Sequence, residues 1–465
     1  MRSKFLVCSL LMGSLYAGAQ RTNGVAVWLT TPDRSSLLAR QTKELHFAKS
    51  ASQAPVIDID DKQRYQVMDG FGFALTGGSA QLLMRMDAPQ RAEILKELFG
   101  TGDKQIGVSY LRVSIGSSDM NDHAFTYDDL AAGQTDADLK KFSLGPDSTS
   151  VVPALKEILA INPSIKVLGT PWSAPAWMKT NDDLKGGSLK PEYYDVYARY
   201  FVKFIEEMKA NGIVIDAITP QNEPLNPNNT PSLVMLANEE AQFIKQSLGP
   251  AFRKAGIKTK IILYDHNCDR PDYPLAILAD PEARQYVDGS GFHLYDGQIT
   301  ALTPVHQAYP DKNLYFTEQM VVDPRDSSNL DLTSPVKHLI IGAPNNWSKN
   351  VILWNLAADS HFGPHTNNGG CPSCQGAITI DGNKVGRNSG YYTIAQASKF
   401  VRPGSVRIAS STVDSLPNVA YQTPDGKRVL IVVNDSADSK TFQIRYHEKS
   451  VTSTLSGGAV GTYVW

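Results

Sequence analysis

The chain has 465 residues, of which 42% are hydrophobic and 20% are charged. This composition is that of an ordinary globular protein and shows no disordered, fibrous or membrane bias. The 45 basic and 47 acidic residues nearly cancel, with no long run of either sign, so nucleic acid is not an expected partner and a neutral substrate such as a carbohydrate fits better.

The first 19 residues have the order of a secretory signal peptide. Arg2 and Lys4 precede an apolar stretch at residues 5–16, and the small residues 17–19 offer a cleavage site. The apolar stretch is shorter than the ~20 residues that span a bilayer, and a buried first helix is the alternative. We therefore predict a signal peptide over 1–19, a secreted, periplasmic or cell-surface location, and no integral membrane segment in the mature chain.

After this segment, the sequence predicts two short strands, Gly24 to Leu29 and Pro55 to Asp60. We assign residues 20–65 to N-terminal strands that join a β-domain formed mainly by the end of the chain.

Between residues 66 and 404, short β-branched or apolar runs alternate with longer helical patterns, which is typical of βα units and a parallel sheet. The eight predicted strands are Gln66 to Leu75, Val108 to Ile115, Lys166 to Thr170, Ile215 to Thr219, Lys260 to Tyr264, Gly291 to Tyr295, Asn313 to Thr317 and Asn350 to Trp354. Helical spacing of apolar residues marks Ala88 to Phe99, Val152 to Ile161, Pro191 to Ala210 and Glu239 to Ala255. The pattern predicts an α/β fold, a (β/α)8 TIM barrel over 66–404, which we expect to be the catalytic domain.

From residue 405 the pattern changes to short alternating strands separated by turn pairs such as Asp425-Gly426. The predicted strands are Val406 to Ile408, Ala420 to Thr423, Arg428 to Val433, Thr441 to Tyr446 and Gly461 to Trp465. We predict an antiparallel β-domain over 405–465, completed by the strands of 20–65.

Two glutamates stand at the ends of barrel strands. Glu223 ends the fourth predicted strand in an Asn-Glu-Pro context, and Glu318 ends the seventh. The interval of 318 − 223 = 95 residues equals about three βα units of ~30 residues, so the two strands face one another across the barrel. Paired carboxyl groups are what glycosidic bond cleavage requires, whereas a lone glutamate is more often a surface or salt-bridged residue.

Three cysteines remain after the signal segment: Cys268, Cys371 and Cys374. An oxidising compartment would permit a bridge between Cys371 and Cys374 in a loop, and redox catalysis is the alternative interpretation of their spacing. No second ligand pair stands at a spacing suited to zinc, so neither a metal nor a cofactor is predicted.

Seven motifs, in order along the chain, resemble those of glycoside hydrolase family 30, which contains lysosomal glucosylceramidase and β-1,6-glucanases. They are Asp-Gly-Phe-Gly-Phe at 69–73, Leu-Arg-Val-Ser at 111–114, Pro-Trp-Ser-Ala-Pro-Ala-Trp-Met-Lys at 171–179, Gln-Asn-Glu-Pro at 221–224, Gly-Phe-His-Leu-Tyr at 291–295, Thr-Glu-Gln at 317–319 and Trp-Asn-Leu at 354–356. The resemblance implies a barrel with a side β-sandwich built from both termini. It also implies retention of anomeric configuration, with Glu223 as acid/base and Glu318 as nucleophile.

Further roles follow from matching the same motifs. Asn222 would hydrogen-bond the 2-hydroxyl of the sugar, with a strand-end turn as its alternative role. Tyr295 would donate to the nucleophile. Arg112 would keep that carboxylate ionised, or form a structural ion pair, and His293 would support the site.

Three more residues are implied as sugar contacts. Trp172 and Trp354 offer flat faces to the C–H surface of the sugar, and Asp119 could accept hydrogen bonds from outer hydroxyls.

Substrate choice depends on loops beyond the shared sugar site. The loop at 363–374 departs from the lysosomal enzyme and resembles bacterial members, so endo-β-1,6-glucanase activity is favoured. Glucosylceramide, small β-glucosides, β-xylosides and xylan are the alternative substrates. A non-catalytic glycan-binding protein, which would have lost one glutamate, and a metal-dependent hydrolase are the alternatives from other classes.

Overall fold

The computed structural model describes residues 24–49, 52–323 and 328–465. The predicted signal peptide lies outside these residues. Within these three segments no helix is long and apolar enough to cross a membrane.

The strands and helices alternate through the middle of the chain and give way to strands at both ends. The strands are β1 (Gly24–Thr30), β2 (Ala39–Arg40), β3 (Leu45–His46), β4 (Val56–Val67), β5 (Gly70–Ala74), β6 (Tyr110–Ser114), β7 (Lys166–Thr170), β8 (Ala217–Ile218), β9 (Lys260–Asn267), β10 (Val287–His293), β11 (Asn313–Glu318), β12 (Ser348–Leu353), β13 (Ala357–Ala358), β14 (Ile378–Asp381), β15 (Lys384–Arg387), β16 (Val406–Ser410), β17 (Asn418–Gln422), β18 (Arg428–Val433), β19 (Lys440–Tyr446), β20 (Lys449–Leu455) and β21 (Val460–Val464). The α-helices are α1 (Gly77–Arg85), α2 (Ala88–Phe99), α3 (Val151–Ile161), α4 (Tyr194–Ala210), α5 (Ala237–Phe243), α6 (Gly249–Ala255), α7 (Asp272–Ala279), α8 (Pro281–Arg284), α9 (Leu302–Ala308), α10 (Thr333–Pro335), α11 (Ala343–Asn345) and α12 (Ser389–Ser398).

Strands β5 to β12 form a closed parallel barrel, and β12 pairs with β5 to complete it. The predicted (β/α)8 barrel is therefore confirmed. Side chains rather than a channel fill its interior, because six of the barrel strands contribute to one buried cluster of Tyr110, Leu168, Ala217, Ile262, Tyr315 and Ile352. This packed core fixes the positions of the strand ends that carry the site.

The helix predicted over Glu239 to Ala255 is interrupted. A π-helical segment, Ile244–Leu248, joins α5 to α6. Pro250 lies at the start of α6 and has no N–H with which to continue the ladder of i to i−4 hydrogen bonds. The apolar spacing predicts the buried face but not this change of helix type.

One sheet contains strands from both ends of the chain. Its order is β2-β1-β21-β18-β17-β16-β4-β19-β20, with β3 on β1, and β1 pairs antiparallel with β21. The predicted side β-sandwich built from both termini is thus confirmed. One pair departs from the antiparallel expectation, because β4 runs parallel to β19. Strand β20, which the turn signals did not indicate, forms a hairpin with β19.

Candidate active site

The two predicted glutamates lie at the carboxyl ends of barrel strands. Glu318 is the last residue of β11, and Glu223 follows β8. Glu223 is 7% exposed and Glu318 is 6% exposed. One carboxylate oxygen of Glu223 lies within 4.8 Å of one carboxylate oxygen of Glu318. Glu223 has a φ of +42°, a left-handed backbone that a non-glycine residue adopts at a cost and that occurs preferentially at functional sites.

A cavity of about 510 Å³ opens over both glutamates. Its lining combines carboxyl, amide and aromatic groups with a turn of the loop that follows β13. The lining residues are Asp119, Glu223, Leu225, Asn226, Pro227, Asn228, Asn229, His266, Asn267, Tyr295, Glu318, Met320, Trp354, Gly370, Cys371, Pro372 and Cys374.

Glu318 is held by two donors. The Arg112 Nη1 donates to Glu318 Oε2, and the Tyr295 hydroxyl donates to Glu318 Oε1 at 3.0 Å. Arg112 also pairs with Asp265 at 2.8 Å and donates to Asn222 Oδ1 at 2.6 Å. The buried Arg112 thus makes both of the contacts that were predicted as alternatives: it donates to Glu318, and it forms a structural ion pair with Asp265.

Glu223 is held by a histidine and by amides. His293 Nδ1 lies 3.2 Å from Glu223 Oε1 and 3.8 Å from Glu318 Oε1, while its Nε2 lies 3.1 Å from Asp265. On the other side, Asn226 Nδ2 donates to Glu223 Oε2 at 2.8 Å. The predicted supporting residue His293 therefore contacts both glutamates.

These contacts shift the pKa values of the three groups. Burial disfavours a charged His293, but Glu318, Asp265 and Glu223 outweigh it and raise its pKa to about 9. Burial also opposes ionisation of Glu223, yet the hydrogen bond and charge of His293 lower its pKa to about 2. Burial, together with the charge of Glu223, raises the pKa of Glu318 against the opposing effects of His293 and Arg112.

The predicted sugar contacts divide into lining and supporting residues. Asp119 and Trp354 line the cavity, and Asp119 Oδ1 is buried without a hydrogen-bond partner among the described residues. Burial, then Glu318 and Glu223, raise the pKa of Asp119 to about 8. Trp172 is 2% exposed and packs behind Trp354, with ring centroids 5.3 Å apart, so its direct sugar contact stays a prediction.

Asn222 and Tyr295 complete the predicted set. Asn222 is buried and accepts from Arg112 rather than capping a strand-end turn through its side chain. Tyr295 is 41% exposed and forms part of the cavity rim, with its hydroxyl on Glu318.

Asp265 is the main residue that the sequence reasoning missed. It is fully buried in β9, bonds Arg112 and His293, and accepts from the hydroxyls of Thr219 at 2.8 Å and Thr317 at 2.5 Å. Despite burial, the charge of Arg112 and the hydrogen bonds keep its pKa well below the usual range. The sequence feature that could have indicated Asp265 is its position at the end of the fifth predicted strand, directly after Tyr264.

His266, Asn226 and Asn229 also belong to the site without having been predicted. His266 lines the cavity beside Asp265, and Asn229 Nδ2 lies 3.4 Å from Glu223 Oε2. Asn226 and Asn229 fall in a short polar stretch after Glu223 that contains no recognised motif.

A metal ion is the other chemistry that three such side chains permit. Glu223, His293 and Glu318 offer ligand atoms within 4.8 Å of one another. However, both ring nitrogens of His293 already face carboxylates, and Arg112 supplies a cation to Glu318. Among the described residues, hydrogen bonds and ion pairs account for the contacts of these three side chains. The expectation of no metal stays a prediction.

Known proteins resemble the chain over nearly all of its described length. Residues 68–401 match the glycosyl hydrolase family 30 TIM-barrel domain, and residues 404–463 match the family's β-sandwich domain. The chain is 34% identical to an endo-1,6-β-D-glucanase of Neurospora crassa, over 81% of each chain. It is 28% identical to the lysosomal acid glucosylceramidase of Mus musculus, over 88% of this chain and 83% of that one.

Among solved structures, the endo-β-1,6-glucanase BT3312 superposes with a TM-score of 0.87 at 38% identity, covering 96% of this chain and 99% of that one. A family match over more than half of the chain, together with relatives of this identity and coverage, establishes the assignment. The chain belongs to glycosyl hydrolase family 30 and is a glycoside hydrolase.

Proposed function

We propose that this glycoside hydrolase cleaves β-1,6-linked glucan internally, with retention of anomeric configuration, by a two-glutamate double displacement. The observation that carries the mechanism is the approach of Glu223 and Glu318 oxygens to within 4.8 Å. Retaining enzymes hold their carboxyl groups about 5 to 5.5 Å apart, whereas inverting enzymes leave about 6.5 to 9.5 Å for a water molecule.

In the first step Glu318 attacks the anomeric carbon while Glu223 gives its proton to the departing glycosidic oxygen. The bond from carbon to that oxygen breaks and a glycosyl-Glu318 ester forms. In the second step Glu223 takes a proton from water, whose oxygen displaces Glu318. The departing sugar has thus gained a hydrogen and the other product a hydroxyl group, which together are one water molecule.

The neighbouring groups support these charges. Arg112 and Tyr295 donate to Glu318, which favours its ionised form as the nucleophile. Asn222 and Asp119 are placed to bond sugar hydroxyls, and Trp354 offers its face. These roles remain part of the proposal.

A neutral glucan suits the cavity. Among the described lining residues there is no lysine or arginine, and an anionic sugar would need such a cation. The β-1,6 linkage is supported by the relatives named endo-1,6-β-D-glucanases, three of which are 32% to 34% identical to this chain. Glucosylceramide is the second candidate substrate, because the mouse glucosylceramidase is also similar along most of its length.

We further propose that the protein acts outside the cytoplasm. The N-terminal pattern supports export, and the Cys371–Cys374 disulfide is typical of an oxidising compartment.

The test compares hydrolysis of β-1,6-glucan, glucosylceramide, xylan and an aryl β-glucoside by the wild type and by Glu223→Gln and Glu318→Gln. We expect a ladder of β-1,6 oligosaccharides from the wild type and losses of about 10³-fold or more in kcat on β-1,6-glucan in each variant. The exposed Glu93 supplies a matched control, Glu93→Gln, with wild-type turnover.

Azide separates the two roles. With an activated aryl β-glucoside, Glu223→Ala should yield β-glucosyl azide through the covalent intermediate, and Glu318→Ala should yield α-glucosyl azide by direct displacement. Full activity in either Gln variant contradicts the two-glutamate mechanism, and glucose as the only product contradicts internal cleavage.

A further inference from the structure

Two loops form the side of the cavity nearest Glu223. The first, residues 225–229, follows Glu223 directly, and the second, residues 370–374, contains the Cys371–Cys374 disulfide. Four residues of the second loop line the cavity. We call these two segments together the leaving-side wall.

The leaving-side wall faces Oε2 of Glu223. Glu223 Oε1 lies beside His293, whereas Oε2 accepts from Asn226 and lies 3.4 Å from Asn229. An acid/base residue must contact the oxygen of the departing sugar when it donates its proton. The departing sugar therefore occupies the part of the cavity that this wall bounds.

Thr230 ties the two loops together. Its backbone N–H donates to Gly369 O at 3.2 Å, its carbonyl accepts from Thr366 Oγ1 at 2.8 Å, and its hydroxyl donates to Asn368 O. Lys185 adds a bond from Nζ to Asn368 Oδ1 at 3.0 Å. The loop after Glu223 and the disulfide loop thus have one fixed relative position.

Close packing and the disulfide restrict this position further. Gly369 has a φ of +90°, and a Cβ there would lie 2.4 Å from Asn228 O, so only glycine permits the approach. Cys374 is buried in a cluster with Trp172 and Trp354. The disulfide therefore links the half-buried Cys371 to the aromatic residues Trp172 and Trp354 through Cys374.

We propose that the leaving-side wall is the binding site for the departing sugar, a neutral glucose unit, and that Thr230 and the disulfide fix its shape. This inference rests on the proposed glycosidase function. The chemistry fits because the wall offers amides of Asn228 and Asn229 for hydroxyls, and Pro227, Pro372 and the disulfide for the apolar face of a sugar.

The test uses two substrates that differ only in the group that leaves. A linear β-1,6-linked glucooligosaccharide must place a sugar against the wall, whereas a β-glucosyl fluoride that carries the same β-1,6-linked sugars on its non-leaving side releases a small ion that neither needs protonation nor fills this space. Thr230→Val and the double variant Cys371→Ser/Cys374→Ser are compared with the wild type by kcat/KM on each substrate. We expect kcat/KM to fall about tenfold or more further on the oligosaccharide than on the fluoride, the size of one lost positioning contact.

Cys268→Ser serves as the matched thiol control, since Cys268 is the free cysteine of the described residues and lies outside both loops. Its ratio of the two kcat/KM values should equal that of the wild type. Reduction of the wild type with dithiothreitol should reproduce the double variant, with near-ultraviolet circular dichroism confirming that each protein is folded.

Four results would overturn the inference. Equal losses on both substrates would indicate general damage rather than a sugar site, and unchanged oligosaccharide turnover would show that the wall does not bind the departing sugar. A wild type that hydrolyses the fluoride but no oligosaccharide would reject this inference while keeping the glycosidase mechanism. If the wild type hydrolyses neither substrate, the proposed function itself fails, and this inference fails with it.

Discussion

Five ionisable side chains share the floor of the cavity, and their protonation is interdependent. Arg112 and His293 are the cations, and Asp265, Glu223 and Glu318 are the carboxyl groups. With two cations and three carboxyl groups, the cluster is neutral when the glutamate pair holds one proton. That is the state catalysis needs, with one glutamate as acid and the other as nucleophile.

His293 controls where that proton lies. Its Nδ1 is within 3.2 Å of Glu223 and 3.8 Å of Glu318, so it can hold the proton that otherwise belongs to the pair. Because the pKa of His293 is about 9 and that of Glu223 about 2, this proton lies on His293 in the free site. Transfer of the proton from Nδ1 to Glu223 leaves a neutral His293 that donates from Nε2 to Asp265, and Glu223 can then act as the acid.

We predict that His293→Gln moves the pH dependence of kcat/KM upward. The His293 cation lowers the pKa of Glu223 and opposes the rise in the pKa of Glu318. Removing it raises the pKa of Glu318 further, so ionisation of the nucleophile occurs at higher pH. The acidic limb of the pH profile should therefore shift to higher pH, with kcat reduced about tenfold or more.

The control for this profile is His361→Gln at an exposed site, whose limbs should coincide with those of the wild type. A lower rate with the acidic limb unmoved would reduce His293 to a purely structural residue.

The site residues differ in how far the sequence could predict them. Glu223 and Glu318 were predictable as a pair because both stand at barrel strand ends and the interval between them places them on facing strands. The contacts of His293 to both glutamates were not, because they depend on the spatial order of β8, β10 and β11. The spacing of residues along the sequence does not give that spatial order unless the barrel is known to close.

At the scale of elements, the carboxyl ends of four barrel strands meet on one buried carboxylate. Asp265 in β9 contacts Arg112 of β6, His293 of β10 and Thr317 of β11. Its own strand is bent there, since Tyr264 and Asp265 have φ of +75° and +56°. The ion pairs hold a backbone conformation that is otherwise unfavourable.

Asp265→Asn should therefore weaken both structure and catalysis. The amide keeps the shape but leaves Arg112 and His293 with one counter-charge fewer in a buried site. We expect the free energy of unfolding to fall by roughly 3 kcal/mol and kcat to fall about 10²-fold or more, because Glu318 loses the orientation of its Arg112 partner. Urea unfolding and steady-state kinetics measure the two effects.

Asp311→Asn, at a largely exposed aspartate, should change neither quantity. Wild-type stability of Asp265→Asn would mean that the buried charge is not needed to hold the strand ends.

The order of the sheet strands illustrates what local pattern cannot supply. Alternation predicted β1 and β4 and assigned them to the C-terminal β-domain, because half-buried strands need a partner sheet. It could not predict that β4 lies between β16 and β19 and is parallel to β19. Pairing across nearly 400 residues depends on how the barrel places the two ends of the chain.

At the scale of the whole molecule, the barrel and the sandwich are joined by polar and aromatic contacts. Arg407 of β16 lies 3.8 Å from the ring centroid of Tyr65 in β4 and 5.4 Å from that of Trp347, just before β12. Lys337 pairs with Asp435 at 2.7 Å. These contacts fix the side sheet against the barrel, so we expect the two parts to unfold together.

Gln396 offers a direct test of that coupling, since it joins barrel helix α12 to both terminal strands. Its amide donates to Thr30 Oγ1 of β1 at 2.6 Å, and Thr462 Oγ1 of β21 donates to its Oε1 at 2.9 Å. Gln396→Leu leaves both hydroxyls short of a partner in a buried place, which should lower the free energy of unfolding by about 2 kcal/mol. Calorimetry should show one transition at a lower Tm with kcat unchanged, whereas the exposed Gln90→Leu should leave Tm at the wild-type value. Two separate transitions would show that the sheet and the barrel unfold independently, and that the coupling through both termini contributes no cooperativity.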